Sequence, residues 1–285
     1  MNIKPTDLVL EIGSGNNPNP RSDVLCDLFV SDNSQRAGNF SIIIDRPFIV
    51  SDCYKLPFKD NSFDYIICSH LLEHLDDPEK FIKELTRVGK AGYIEVPNIY
   101  GERLFGWDFH LWYCEFKKGT LILTRKKEGE RFGGFYHRLI AKNIWFRRFF
   151  EENEDMFYIK YEWDNKIKIQ IKEKNNKENH IEEIDKEVWN LMRNIKWNIK
   201  KDYIFYLQWM RKRILRKLNK ITRRYAWNFK KIYKKNKPIN DLLQILVCLN
   251  CKNNLALSKS YLFCKNCNFR YKLNGGIPIM LNKNK

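Results

Sequence analysis

Four cysteines constrain this chain more than any other feature. They form two Cys-x-x-Cys pairs, Cys248 with Cys251 and Cys264 with Cys267, in the stretch CLNCKNNLALSKSYLFCKNC. Twelve residues separate the pairs, a spacing that closes four thiolates round one tetrahedral zinc ion. A closed site is structural and not catalytic. In a reducing compartment such pairs hold metal and do not form disulfides. Cys26, Cys53, Cys68 and Cys114 are scattered and read as small buried hydrophobes. MNIKPTDLVLEIG has no apolar run after a basic start, so no secretory signal is expected. The longest uncharged apolar run of the second half, Tyr203 to Met210, is broken by Gln208 and too short to span a bilayer. A cytoplasmic protein is expected.

The front of the chain has a different grammar. DLVLEIGSG is an apolar run ending in glycines, a buried strand and a tight turn. DVLCD, RPFIVSD, SFDYIICS and AGYIEVPN predict four more strands. DDPEKFIKELTRVGK predicts a helix: Asp76 or Asp77 caps it, Pro78 suits its first turn, Phe81, Leu85 and Val88 line one face, and Gly89 ends it. Strands alternating with helices predict a parallel α/β sheet. From Ile99 to about Asn153 aromatics and glycines dominate, as in an inserted lid, with a strand at GTLILTRK and a helix at HRLIAKNIWFRRFFEEN. MFYIKYEW and KIKIQIK flank Asp164-Asn165 as a hairpin would.

The strand ends carry the chemistry. In LEIGSGNNPNP a strand feeds a glycine turn, which brings backbone N–H groups close to a ligand. Glu11 sits at that strand's end. Asp27 ends the second strand, where an acid can hold ribose hydroxyls. Asp52 ends the third, where a carboxylate can accept from an adenine amino group. Ser69 and His70 follow the fourth, at the edge where open α/β sheets place ligands.

VLEIGSG, SDCYKLPFKDNSFDYIICSHLLEHLDDPEKFIKELTRVGK and AGYIEVPN resemble the class I S-adenosylmethionine-dependent methyltransferases, nearest to the small-molecule branch related to ubiquinone and sterol methyltransferases. The resemblance covers roughly residues 5 to 100. It implies a methyl donor held by the backbone at Gly13 and Gly15, by Asp27, and by Asp52 with the Cys53 backbone; Glu11 and Ser69 join the candidate set by their strand-end positions. Two features depart from the pattern. Asn17 replaces the third glycine of the turn, and Asn16 to Asp23, with Pro18 and Pro20, leave no room for the first helix. Asp32 and Asp45 therefore compete with Asp27 for the ribose.

Methyl transfer to a hydroxyl needs donor and acceptor aligned and a base working near neutrality, which suits histidine. His70, His110 and His137 are the candidates; His74, in LLEHL, reads as a packing or capping residue. After the fourth strand the chain has CSHLLEH and lacks the Asn-Pro-Pro-aromatic turn of enzymes that methylate nucleobase or glutamine nitrogens. An oxygen or carbon acceptor is expected, with its identity left open.

LLQILVCLNCKNNLALSKSYLFCKNCNFRYKLNGGIPIML resembles the zinc-ribbon proteins that activate methyltransferases for tRNA and translation factors, over residues 242 to 281. It implies a built-in partner whose exposed strand could extend the sheet of its own catalytic domain. Between the two lies a basic segment. Arg193 to Lys237 holds seventeen Lys and Arg against Asp202 alone, a net +16 of the chain's +18. Leu207, Met210, Ile214, Leu218, Ile221, Tyr225, Phe229 and Ile232 recur there at helical spacing, an apolar stripe that favours an anionic membrane surface over nucleic acid. The expected organisation is an α/β Rossmann-like methyltransferase domain with a reduced first helix (1–173, lid insertion about 99–153), a basic helical arm (174–237) and a zinc ribbon (238–285). Two other functions fit: a tRNA or translation-factor methyltransferase with its activator fused, and a non-catalytic adaptor docking on membrane or RNA.

Overall fold

The structure is a computed structural model describing residues 1–29, 42–126, 136, 140, 142–172, 186, 203–211, 214 and 242–281. His137, Asp32, most of the arm and the stripe residues Leu218, Ile221, Tyr225, Phe229 and Ile232 lie outside the described residues. The chain divides into two compact units, one of Met1–Ile94, Tyr161–Ile167 and Arg223–Lys285, the other of Glu95–Lys160 and Lys168–Thr222.

The first unit is built on the predicted strands β1 (Val9–Ile12), β2 (Val24–Asp27), β3 (Phe48–Ser51), β4 (Phe63–Ser69) and β5 (Gly89–Pro97). Their order in the sheet is β3-β2-β1-β4-β5, and the β1–β2, β2–β3 and β1–β4 pairings are parallel. Such strands are covered on both faces and read as continuous apolar runs. Leu10, Leu25, Ile49 and Ile66 are accordingly 0% exposed. No helix stands between β1 and β2, as the prolines there require.

Helix α1 (Pro78–Val88) begins where Asp77 accepts from the Lys80 amide, and buries Phe81, Ile82, Leu85 and Val88. Gly89 ends it for another reason than the sequence gives. Its φ is −118°, an extended value, and β5 starts at once. A Cβ there would stand 2.5 Å from Ile66, so close packing demands the glycine.

The four-cysteine segment belongs to this same unit. It forms β10 (Leu255–Leu257), β11 (Tyr261–Cys264), β12 (Arg270–Asn274) and β13 (Ile277–Met280), joined as antiparallel neighbours. Strand β13 then pairs in parallel with β3, Ile279 opposite Val50 and Met280 opposite Ser51. Ile277, Ile279 and Leu281 pack on Leu25, Phe48 and Val50. The sheet thus reaches ten strands, with β8 (Tyr158–Asp164) beside β5 at its other end.

The second unit has a three-stranded sheet of β6 (Trp112–Lys117), β7 (Thr120–Arg125) and β9 (Ile169–Lys172). Helices α2 (Ile99–Phe105) and α3 (Ile144–Glu152) carry its aromatic core, in which Phe105, Phe146, Phe149 and Phe157 are buried together. The hairpin expected about Asp164-Asn165 does not form. Strand β8 lies in the large sheet, while β9 pairs in parallel with β7. Only Asn165 takes a left-handed φ, +56°, so the two-residue primed turn is incomplete. The Asn165 amide bonds instead to the Lys90 carbonyl at 2.8 Å.

Candidate functional site

Sheet order reverses between β1 and β4, and open α/β sheets bind ligands at the carboxyl ends of strands at such a point. Gly13, Gly15 and His70 all stand there. Gly13 (φ +72°) and Gly15 (φ +50°) take left-handed conformations that glycine adopts freely. The Gly13 amide bonds to the Cys26 carbonyl at 2.8 Å, fastening the turn to β2. A Cβ on Gly13 would press on Leu71 at 3.3 Å, and at this φ it would also be strained. Asp27, at the end of β2, accepts from the Gly15 and Phe29 amides, each at 3.3 Å.

Asp52 follows β3 and accepts from the Tyr54 amide at 2.9 Å. Its loop is clamped by α1. Arg87 donates to the carbonyls of Leu56 and Phe58, and Glu84 accepts from the Leu56 amide at 2.8 Å. Glu84 and Asp60 in turn hold the Arg87 guanidinium, and raise its pKa. From the other side the cysteine segment grips the same loop: Val247 donates to the Pro57 carbonyl at 2.9 Å, and Lys59 to that of Ile245 at 2.8 Å. Cys53 is half-buried beside Asp52, and Ser69 is the last residue of β4.

His70 takes a left-handed φ of +54°, unusual for a non-glycine residue, at the end of β4. Its Nδ1 lies 3.5 Å from the Glu73 carboxylate, which is fully buried, while the imidazole itself is half-exposed. His74 sits in a short 3-10 turn, Leu72–His74.

Glu11, near the end of β1, makes local contacts. Its carboxylate accepts from the Asn19 amide at 2.7 Å and the Ser22 hydroxyl at 2.5 Å, which ties down the loop standing where a helix would be. Burial raises its pKa, against the pull of those hydrogen bonds. Arg46 completes this support by donating to the Asn19 and Ser22 carbonyls. Both carboxylate oxygens of Asp45 accept from the Nε–Nη2 edge of Arg46, at 2.7 and 2.9 Å. Neither Ser22 nor Arg46 carries a sequence signal for this role.

The four predicted metal ligands converge. Cys248, Cys251, Cys264 and Cys267 have sulfurs within 4.8 Å of one another. The Cys248–Cys267 and Cys251–Cys264 sulfurs stand 3.6 and 3.4 Å apart. Sulfurs about 2.3 Å from a tetrahedral ion are about 3.8 Å from each other, so the set fits zinc. Both knuckles have one construction. The Lys252 amide bonds to the Cys248 carbonyl and the Asn268 amide to that of Cys264, with Lys252 and Asn268 at left-handed φ. The Asn253 amide and side chain lower the Cys251 thiol to about 6. Tyr271, buried beneath, places its hydroxyl 3.3 Å from the Cys248 sulfur and accepts from the Leu249 amide.

In the second unit, His110 meets Glu102. Its Nδ1 lies 2.6 Å from Glu102 Oε2, and Lys126 Nζ lies 2.5 Å from Glu102 Oε1. Glu102 comes from α2, whose Asn98 cap accepts from the Gly101 amide. His110 and Lys126 are brought in by the turn after α2 and the end of β7.

Known proteins match the front of the chain. A family model described as a methyltransferase domain matches residues 24–94. Ajmaline N-methyltransferase of Rauvolfia serpentina is 44% identical over 45 residues, 16% of each chain. Demethylmenaquinone methyltransferase of Renibacterium salmoninarum is 38% identical over 72 residues, 25% of this chain and 30% of that enzyme. The chain thus spans less than a third of the length of either relative. Among solved structures, the complex between the Haloferax volcanii Trm112 methyltransferase activator and a methyltransferase is similar at 25% identity over 34% of this chain and 47% of that one. Its TM-score is 0.27, too slight to bear on function. Residues 24–94 of this chain, which hold Asp27, Asp52 and His70, are thus similar to a methyltransferase domain.

Proposed function

We propose that the chain transfers a methyl group from S-adenosylmethionine to a hydroxyl of a sugar, glycolipid or other small molecule. The observation that carries this reading is the Gly13–Gly15 turn, fastened to β2 and held by two glycines at left-handed φ at the reversal of strand order. Bound there, the sulfonium of the donor supplies an electrophilic methyl. Backbone at Gly13 and Gly15 would lie against the donor, Asp27 would take the ribose hydroxyls and Asp52 the adenine amino group. His70, His110 and His137 are the proposed bases, one of which removes the acceptor's proton. The acceptor atom is proposed as oxygen because the turn after β4 reads CSHLLEH and offers no clamp for a planar nitrogen.

The cysteine segment is proposed to be a zinc ribbon that serves this domain from within the same chain. The hydrogen bonds of Val247 and Lys59 support that, since they hold the loop that carries Asp52. An acceptor at an anionic membrane face is favoured by the helical stretch 203–211, where Tyr203, Ile204, Tyr206 and Leu207 are exposed. The test is incubation of a total cell extract with methyl-labelled donor and mass spectrometry of the products. A lipid-linked glycan heavier by one methylene is the expected result, lost in Gly13→Val, which also loses donor binding by calorimetry. Label in a tRNA nucleoside would replace this reading by the fused-activator one.

A further inference from the structure

We propose that Glu102 is a positioning residue that holds His110 in the tautomer needed for a base. The inference deepens the proposal of His110 as a base and rests on it. Glu102 is 3% exposed, with both carboxylate oxygens engaged by ionisable groups. Lys126 balances the charge of Glu102. An apolar trio would join α2, the following turn and β7 at less desolvation cost. What an apolar trio lacks is the power to choose between the two imidazole nitrogens.

The carboxylate makes that choice. An ionised carboxylate only accepts, so the nitrogen facing it, Nδ1, must carry the proton. The lone pair then resides on Nε2, which becomes the nitrogen that takes a proton. Lys126 only donates, and its ammonium also lies 5.6 Å from the centre of the Tyr113 ring. Gly106 makes the arrangement feasible. A Cβ there would stand 2.1 Å from Glu102 Oε1, displacing the carboxylate.

This geometry gives Glu102→Gln an unusual consequence. The amide oxygen is the one acceptor the side chain keeps, and Lys126 requires it. The amide NH2 must then face His110 Nδ1, which has to become the acceptor. The proton moves to Nε2, and the base is disabled with little change in shape.

The experiment is 15N NMR of the His110 ring in the full-length protein, with the rate of label transfer from methyl-labelled donor into a total lipid extract. The parent is expected with the proton on Nδ1. Glu102→Gln is expected with it on Nε2, a rate lower by about 100-fold and donor affinity within twofold. A parent proton on Nε2 overturns the proposal without the variant having to fold, and leaves the base reading to be judged by His110→Asn. A switched tautomer with an unchanged rate overturns both together.

Discussion

Glu11 and Gly13 are near neighbours at the carboxyl end of β1. The sequence places Glu11 at a strand end, where acids bind ligands. Its carboxylate turns instead to Asn19 and Ser22, because a loop replaces the missing helix and needs an anchor. That loop's conformation is a tertiary outcome, so no pattern in NNPNPRS announces it. Burial gives the site a pH signature. The folded chain holds the Glu11 proton more tightly than the unfolded chain does, since its pKa lies above the ordinary 4.5. Ionising it therefore costs the fold, a cost absent at low pH and growing as pH rises through the raised value. Glu11→Gln cannot ionise. Its urea-unfolding free energy relative to the parent should rise with pH across this range and then level. A flat or falling difference would show that the hydrogen bonds from Asn19 and Ser22 outweigh desolvation. Glu102 and Lys126 were equally invisible, being distant in sequence and meeting His110 only through the turn after α2.

At the scale of elements, legibility follows how local the cause is. Helix α1 was readable from its cap, its Pro78 and an apolar face of period 3.6, all contained in one stretch. Strands β1 to β5 were readable because parallel strands are apolar along their length. The false hairpin at Asp164-Asn165 shows the opposite case: alternation marks two strands without saying that they pair. The two Cys-x-x-Cys pairs were legible as one cluster because their fixed spacing leaves few alternatives, and the four sulfurs do converge. What spacing could not give is their grip on the Asp52 loop. Cys264→Ser should therefore act at a distance. The variant is expected to lose zinc by elemental analysis, and to bind S-adenosylmethionine at least about tenfold more weakly by calorimetry, about 1.4 kcal/mol. Full donor affinity in a zinc-free variant would show that Arg87 and Glu84 suffice to hold that loop.

For the whole molecule, charge and greasiness coincide in one region. The net +16 of residues 193–237 accompanies Tyr203, Ile204, Tyr206, Leu207, Met210 and Ile214, all exposed. No helix among the described residues is long and apolar enough to cross a membrane. Peripheral binding is the proposed use, with each basic residue near an acidic leaflet contributing about 1 kcal/mol at low salt. Ile214, Leu218 and Ile221 changed together to Ser remove apolar burial and leave every charge. Sedimentation with phosphatidylserine vesicles should then fall several-fold while tRNA affinity changes little. A variant that pellets like its parent would sink the membrane reading, and an insoluble one would mark the stripe as core. The placement of β13 against β3 also sets a timetable for the chain on the ribosome. Ser51 emerges early, yet its neighbour Met280 comes only after the lid, the arm and the cysteine knuckles. Until then the β3 edge offers unpaired N–H and C=O groups beside Phe48 and Val50, a template for other strands. Strands β1 to β5 cannot finish their sheet from their own contiguous sequence. A nascent chain stalled before Ile277 is thus a client for chaperones, however well its first hundred residues are made.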